Sequence, residues 1–385
     1  MQQLFINTPE QLKDFCQHIE GSPWLAIDTE FLREKTYYPV FCLLQVSNGE
    51  HAACIDPLAI DDLSPILDIL YRKDVIKVLH AAHQDLEIFL YLWETLPVPV
   101  FDTQLAAAIT GFGDQMGYGK LVQQVLNVQL EKDQARTDWS HRPLDDAQQK
   151  YALNDVIYLA QIYPILNDKI KQLGRSNWLD NEYAAMADPM TYQVAPNEAW
   201  QRIKGRQILK GVQYAVLQKL ADWRETTAIN ANRPRRWILK DEVMIDLARR
   251  MPQSIAQMKK IRGLEAGTIE RHGQHFLELI QQGKEVPREL WPSDQKPFKS
   301  LTRQQEALAD LMMCSLRILA DEAGITPAVI AGKKDLEKLI VDVDDTPLLH
   351  GWRRKIAGET LQQVAAGNLL PCWQNDQLVL CPPSD

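Results

Sequence analysis

Cysteine is sparse and irregularly placed in this sequence, with six residues at 16, 42, 54, 314, 372 and 381 and no CxxC spacing. That excludes a zinc ribbon or a disulfide framework as the organising device, so the cysteines read as reduced thiols. No run approaches the ~18 consecutive apolar residues that a membrane helix needs. The opening residues MQQLFINTPEQLKDF hold neither a basic leader nor an apolar core, so the reading is a cytoplasmic protein with no membrane partner. A short-period repeat is also missing, which argues against a solenoid. What is present, 45% hydrophobic and 24% charged residues over 385 positions, suits folded domains with sizeable cores, two or three by length.

The net charge of -9 argues at first against a polyanionic partner, but the charge is unevenly spread. Residues 1–180 carry 14 Lys and Arg against 25 Asp and Glu, whereas residues 201–280 carry 16 against 8. An acidic first domain beside a basic second one would suit a metal-dependent site next to a surface that holds nucleic acid. Random drift in surface charge would give the same numbers.

Thr8 reads as the N-cap of an opening helix. The runs WLAID, FCLLQVS and HAACID read as neighbouring strands, and a helix follows over Asp61 to Arg72. VIKVLH is a fourth strand, HQDLEIFLYLW a helix and PVFD a short strand. The alternation implies an α/β domain whose sheet is mixed, because the first strands are too close together for helical crossovers. A long helix is predicted from near Leu144 past Tyr163, with Pro164 as its kink or end. Beyond Tyr192 the pattern is helical, broken by the proline-punctuated linker QQGKEVPRELWPSDQKPFK. The tail PCWQNDQLVLCPPSD reads as a packing extension.

The candidate chemistry begins in WLAIDTEF, where Asp28 and Glu30 stand two apart and so project from one face of a strand. Two such carboxylates repel unless a cation neutralises them, and hard oxygen donors favour magnesium or manganese. A bare DTE at a strand end is also ordinary turn or surface chemistry. Asp85 falls just inside the helix after the fourth strand, where it is either a site residue or a charge favoured by the helix N-terminus. Tyr151 and Asp155 lie four apart in YALNDVIYL, on one helical face.

The order DxE, Asp, YxxxD resembles the DEDD superfamily of 3′-to-5′ exonucleases, in the branch whose third motif carries tyrosine. IDTEF, CLLQVS, LHAAHQD, FDTQLAA, LEKDQARTDWSHRPL and YALNDVIYL together resemble the ribonuclease D family over about residues 1–180. The tract LADWRETTAINANRPRRWILKDEVMIDLARRMP is similar to an HRDC module, and DEAGITPAVIAGKKDLEKLI with LLHGWRRKIAGETL to a second, more divergent one. The resemblance implies a ribonuclease H-like exonuclease domain over 1–190, then all-α HRDC domains over 200–285 and 298–372. It implies two divalent ions, Mg or Mn, in which Asp28, Glu30 and Asp155 hold one while Asp28 reaches the second, which Asp85 supports through water. Tyr151 would orient the attacking water. The implied reaction releases nucleoside 5′-monophosphates from RNA with a free 3′ end, transfer RNA precursors especially, and the default assembly is a monomer.

RNA choice would draw on Glu30, on the backbone at Thr29 and Phe31, and on the Phe31 ring, for which core packing is the equal alternative. Lys132 and Arg142 are candidate phosphate contacts, as are Arg224, Arg233, Arg235 and Arg236 with Lys240 in the basic tract. Trp223 and Trp237, interleaved there, read as the small domain's core. His80 and His83 read as hydrogen-bonding or packing residues. Two rival functions remain, a DNA exonuclease built on the same acids, disfavoured by the lack of a polymerase domain, and a silent RNA-binding adaptor.

Overall fold

The computed structural model describes residues 1–131, 137–193, 195–293, 301–341 and 344–383. The first part of the chain alternates strand and helix: β1 (Gln2–Ile6), α1 (Pro9–Ile19), β2 (Trp24–Leu32), β3 (Val40–Ser47), β4 (His51–Ile55), α2 (Ser64–Leu70), β5 (Ile76–Leu79) and α3 (His83–Trp93). It continues with β6 (Val100–Asp102), α4 (Thr103–Ile109), α5 (Tyr118–Leu126), α6 (Asp146–Gln172) and α7 (Asp180–Met186). The six strands form one sheet in the order β1-β4-β3-β2-β5-β6. Parallel pairs β1 with β4, β2 with β5 and β5 with β6 stand beside the antiparallel β3–β4 hairpin, so the sheet is mixed.

Three local details differ from the sequence reading. Strand β1 was not foreseen, because QQLFI is mostly exposed, burying only Ile6 fully, and shows no alternation. Strand β2 does not stop at the acids but runs on to Leu32, so Asp28 and Glu30 sit within a continuous strand. Helix α6 does not end at Pro164 but continues through it, the proline lying on the exposed side while Ala160, Tyr163, Leu166 and Ile170 are buried. Burial of both halves in one core outweighs the missing proline donor.

The start of α6 is fixed by its own sequence. Asp145 caps Gln148 N, and the Gln148 side chain returns a bond from the Asp145 backbone, a reciprocal capping box. Asp102 does the same for α4 and more: its carboxylate accepts from Gln104 N and Leu105 N, and also from Ala81 N and Ala82 N at the entry to α3. One side chain thereby holds the starts of α3 and α4 together.

Helices α8 (Val212–Asn230), α9 (Arg235–Ile238), α10 (Asp241–Arg250), α11 (Ile255–Met258) and α12 (Ala266–Glu285) form a bundle around Leu217, Leu220, Met244, Leu247 and Phe276. The helices α8 and α12 approach closely at Gly283, where a Cβ would lie 2.6 Å from the Val216 backbone. The chain ends with α13 (Arg303–Glu322), α14 (Pro327–Ile330), α15 (Lys333–Ile340), α16 (Gly351–Arg353), α17 (Glu359–Ala365) and the hairpin β7 (Leu370–Gln374) and β8 (Gln377–Cys381). The hairpin turns on Asn375 and Asp376, both at positive φ, as a two-residue turn of matching twist requires.

The C-terminal helices share a core with the α/β domain: Leu316, Leu336 and Leu361 belong to the same cluster as Val156, Leu159 and Leu166 of α6. The chain accordingly divides into two compact units where the sequence suggests three segments. One comprises Met1–Glu30, Phe41–Pro189 and Phe298–Asp385; the other comprises Phe31–Val40 with Met190–Pro297. No described helix is long and apolar enough to cross a membrane.

Candidate active site

Asp28 and Glu30 share a face of β2, and Asp155 comes to them from the third turn of α6. One carboxylate oxygen from each of the three lies within 4.8 Å of the others, a spacing that could hold a metal ion. Asp85, in the first turn of α3, is buried and accepts a short hydrogen bond from Thr29 Oγ1. Thr29 therefore serves as a donor to Asp85 inside the site, a role its sequence position did not reveal. Among the described residues no Lys, Arg or His forms an ion pair with any of these four acids.

Burial and mutual repulsion act together on this cluster. Burial, then the charges of Asp155, Asp85 and Glu30, raises Asp28 well above the usual carboxylate range. Glu30 is pushed up to about 9, first by burial and then by Asp155 and Asp85. Asp155 rises to about 7 by burial. Asp85 rises to about 6, where burial outweighs the Thr29 hydrogen bond. Hard oxygen donors crowded together with no basic partner among the described residues are chemically suited to a divalent ion, which would supply the balancing positive charge.

Tyr151 projects from α6 one turn before Asp155, with its ring 6.1 Å from that of Trp139. Burial, and then the charges of Asp155, Glu30 and Asp28, hold its hydroxyl protonated far above neutral pH. A cavity of about 150 Å³ is lined by Asp28, His80, Tyr118, Tyr151, Asp155 and Leu159. Tyr118, at the start of α5, donates its hydroxyl to the Asp155 backbone carbonyl and so fixes the turn that carries that acid. Nothing in the local sequence signals this, because the contact spans 37 positions. His80 Nδ1 bonds Thr103 Oγ1 at 3.0 Å, and that hydroxyl donates to the Leu79 carbonyl, so Nδ1 carries the proton. Burial keeps His80 neutral by lowering its pKa.

The basic residues divide into structural and exposed groups. Arg142, read as a phosphate contact, instead forks onto the buried Asp56 at 2.6 and 2.8 Å and caps the Cys42 and Trp139 carbonyls. Arg224 is likewise spent internally, on Asp241 at 2.5 Å and on the Leu239 carbonyl, and is 4% exposed. Arg235 is half-buried and grips Glu225. Arg233 and Arg236 remain exposed, the latter 3.3 Å from Glu242. Lys132 lies outside the described residues. Phe31 is half-buried. Trp223 packs against Phe276 and His272, as a core residue should, whereas Trp237 is 61% exposed beside Arg233 and Arg236 and is no part of the core.

Residues 4–171 match the family described as 3′-5′ exonuclease, and residues 213–280 match the HRDC domain. The chain is 39% identical to ribonuclease D of Bartonella henselae, over 91% of this chain and 87% of that one. It is 38% identical to ribonuclease D of Sphingobium indicum, over 97% of each. Among solved structures it is similar to RNase D of Escherichia coli, described as an exoribonuclease involved in structured RNA processing, with a TM-score of 0.82, 31% identity and coverage of 95% and 99%.

Proposed function

The chain belongs to the ribonuclease D family and is a 3′-5′ exoribonuclease, and from that premise we propose that it trims structured RNAs, transfer RNA precursors foremost, by hydrolysis at the cluster Asp28, Glu30, Asp85 and Asp155. The observation that carries this reading is the convergence of three carboxylates within 4.8 Å, with a fourth tied in through Thr29 and no basic partner among the described residues. Asp28, Glu30 and Asp155 would hold one divalent ion, Mg or Mn, and Asp28 would reach a second that Asp85 supports through water. Such a pair of ions, when bound, supplies the charge stabilisation for an in-line displacement at phosphorus.

The protein's own residues do the remaining work. Tyr151 presents a neutral hydroxyl to the cavity beside Asp155, where it orients the attacking water by hydrogen bonding. Tyr118 and Thr29 keep Asp155 and Asp85 in place, and neutral His80 lines the same cavity. The nucleotide leaves as a 5′-monophosphate. Glu30 and the backbone at Thr29 and Phe31 meet the terminal ribose, and Phe31 lies against the last base. The tyrosine at 151, one helical turn before Asp155, supports membership of the tyrosine branch of these exonucleases.

Arg233 and Arg236, exposed with Trp237, offer cations and a stacking face to single-stranded RNA. The order long helix, short helix, medium helix recurs in α8–α10 and α13–α15, which supports a second HRDC-like unit after residue 298. The protein acts in the cytoplasm as a monomer. A 3′-labelled transfer RNA precursor and a matching DNA strand, each incubated with Mg or Mn and then with chelator, test the proposal. Chelator-sensitive release of nucleoside 5′-monophosphate from RNA is the expected result. Chelator-insensitive release defeats the metal reading, and equal release from DNA defeats the RNA preference.

A further inference from the structure

The segment Phe31–Val40 leaves the strand that carries Asp28 and Glu30, yet it belongs to the same compact unit as the helices α8–α12. After Leu32 it has no regular secondary structure until β3 begins, and Arg33, Glu34 and Lys35 are exposed. Such a stretch stays ordered only if something anchors it. Its anchor is Tyr37, which is 9% exposed. The Tyr37 hydroxyl donates to Glu225 Oε1, and Glu225, on α8, is 1% exposed.

Arg235, at the start of α9, completes the arrangement. Its Nε lies 2.9 and 2.7 Å from the two Glu225 oxygens, and its Nη2 lies 2.6 Å from Oε1 and 2.8 Å from the Tyr37 hydroxyl. The guanidinium also covers the Tyr37 ring at 4.6 Å. The backbone is held as well, because Asn232 Oδ1 accepts from Tyr37 N at 3.0 Å and from Tyr38 N at 3.1 Å. Asn232 reaches that position from a left-handed backbone, φ +44°. A buried carboxylate, a bidentate arginine and a carboxamide that takes two successive amides amount to far more than an incidental loop contact.

We propose that Glu225, Arg235 and Asn232 are positioning residues for hydrolysis: by clasping Tyr37 and Tyr38 they fix the backbone that follows Glu30 and Phe31, so the HRDC helices set the geometry of the catalytic strand's end for every RNA, however short. The inference rests on the exonuclease reading of Asp28 and Glu30. It separates Arg235 from the exposed arginines: its effect lies in kcat rather than in RNA affinity. An outlying RNA contact changes KM, and only for substrates long enough to reach it, whereas a displaced reacting group changes kcat for all of them.

The test uses the full chain with Mn and two substrates, an RNA trinucleotide and a structured RNA with a single-stranded 3′ extension. Asn232→Gly removes the carboxamide while keeping a residue that accepts positive φ. Asn232→Asp retains an acceptor oxygen, and Tyr37→Phe keeps the ring but deletes the hydroxyl. Asn232→Gly and Tyr37→Phe should each lower kcat on the order of tenfold on both substrates with KM little changed, and Asn232→Asp should restore most of the rate. A kcat equal to wild type, whether with a lower melting temperature or with a raised KM confined to the structured RNA, overturns the proposal. A wild type silent on both RNAs removes the exonuclease reading, and the proposal with it.

Discussion

Trp178 and Trp352 lie face to face, their ring centroids 4.2 Å apart and their planes 2° from parallel. Arg175 sits over Trp178 at 4.5 Å and Arg353 over Trp352 at 4.4 Å, while Arg353 also pairs with Glu182 at 2.9 Å. Arg175 further donates to the carbonyls of Ile109 and Ala323, one on each side of the seam between the α/β part and the C-terminal helices. Aromatic stacking and cation–π contacts thus lie over a shared aliphatic core.

Trp352→Ala should destabilise the protein by about 3–5 kcal/mol, the usual cost of emptying a large buried aromatic site. Denaturant unfolding measures it. Truncation after residue 297 should be worse, yielding an aggregating chain, because it removes the C-terminal half of the shared core and strips Trp178 of the Trp352 ring stacked on it. A truncated protein that stays monomeric, with an unchanged melting temperature, would show that the seam contributes nothing.

On the two-ion reading, Asp28→Ala or Asp155→Ala should lower hydrolysis at least ~10²-fold while leaving the fold intact, since each removes a ligand and also a repelling charge. The metal-free variants should melt no lower than the metal-free wild type at pH 8. Circular dichroism with a single-turnover assay checks both halves. Near-normal rates in either variant would exclude these residues as ligands.

The same cluster predicts a pH dependence. Glu30, Asp155 and Asp85 have folded-state values of about 9, about 7 and about 6, all above the ordinary carboxylate value. A raised value means that the protonated form favours folding, so this contribution is complete below about pH 4 and is lost as pH rises through 6, 7 and 9. The chelator-treated protein should therefore melt at progressively lower temperature from pH 5 to pH 9. Added Mn should restore stability most at the alkaline end and release protons on binding. Asp155→Asn should flatten the profile; a wild-type profile already flat would contradict the account.

Tyr151→Phe should lower kcat about 10²-fold with little change in KM, because it removes a water-orienting hydroxyl rather than a substrate contact. With the hydroxyl held protonated far above neutral, the pH–rate profile should show no ionisation assignable to it. A variant whose loss appears in KM would make Tyr151 a binding residue.

Two sets of arginines should behave in opposite ways. Arg142→Ala strands the buried Asp56 carboxylate, and a loss of about 3–5 kcal/mol in stability is expected with RNA affinity unchanged once the fold is stabilised. The pair Arg233→Ala and Arg236→Ala should leave stability intact, weaken RNA binding and reduce the salt slope of binding by up to about 1.4. Filter binding across a salt series distinguishes them.

What could be read in the sequence was what depends on short separations. Two-residue alternation placed Asp28 with Glu30, four-residue spacing placed Tyr151 with Asp155, and the Asp145 and Gln148 cap fixed the helix that carries the second pair. Partners far apart in the chain were not legible. Arg142 finds Asp56 across 86 positions and Arg224 finds Asp241 across 17, so their charges looked available for phosphate when the fold had already engaged both. Trp237 failed for the converse reason: tryptophan is usually buried, and only its exposure in the folded chain shows that this one is not.

The interleaving of the two compact units has a consequence for synthesis. The first is completed only by residues after 298, and the second borrows the segment Phe31–Val40, made long before its helices exist. On a translating ribosome Trp178 must wait for the 174 positions that separate it from Trp352, on the order of 9–35 s at elongation rates of roughly 5–20 residues per second, before its stacking partner arrives. The nascent nuclease half is then exposed to chaperones and proteases throughout that interval.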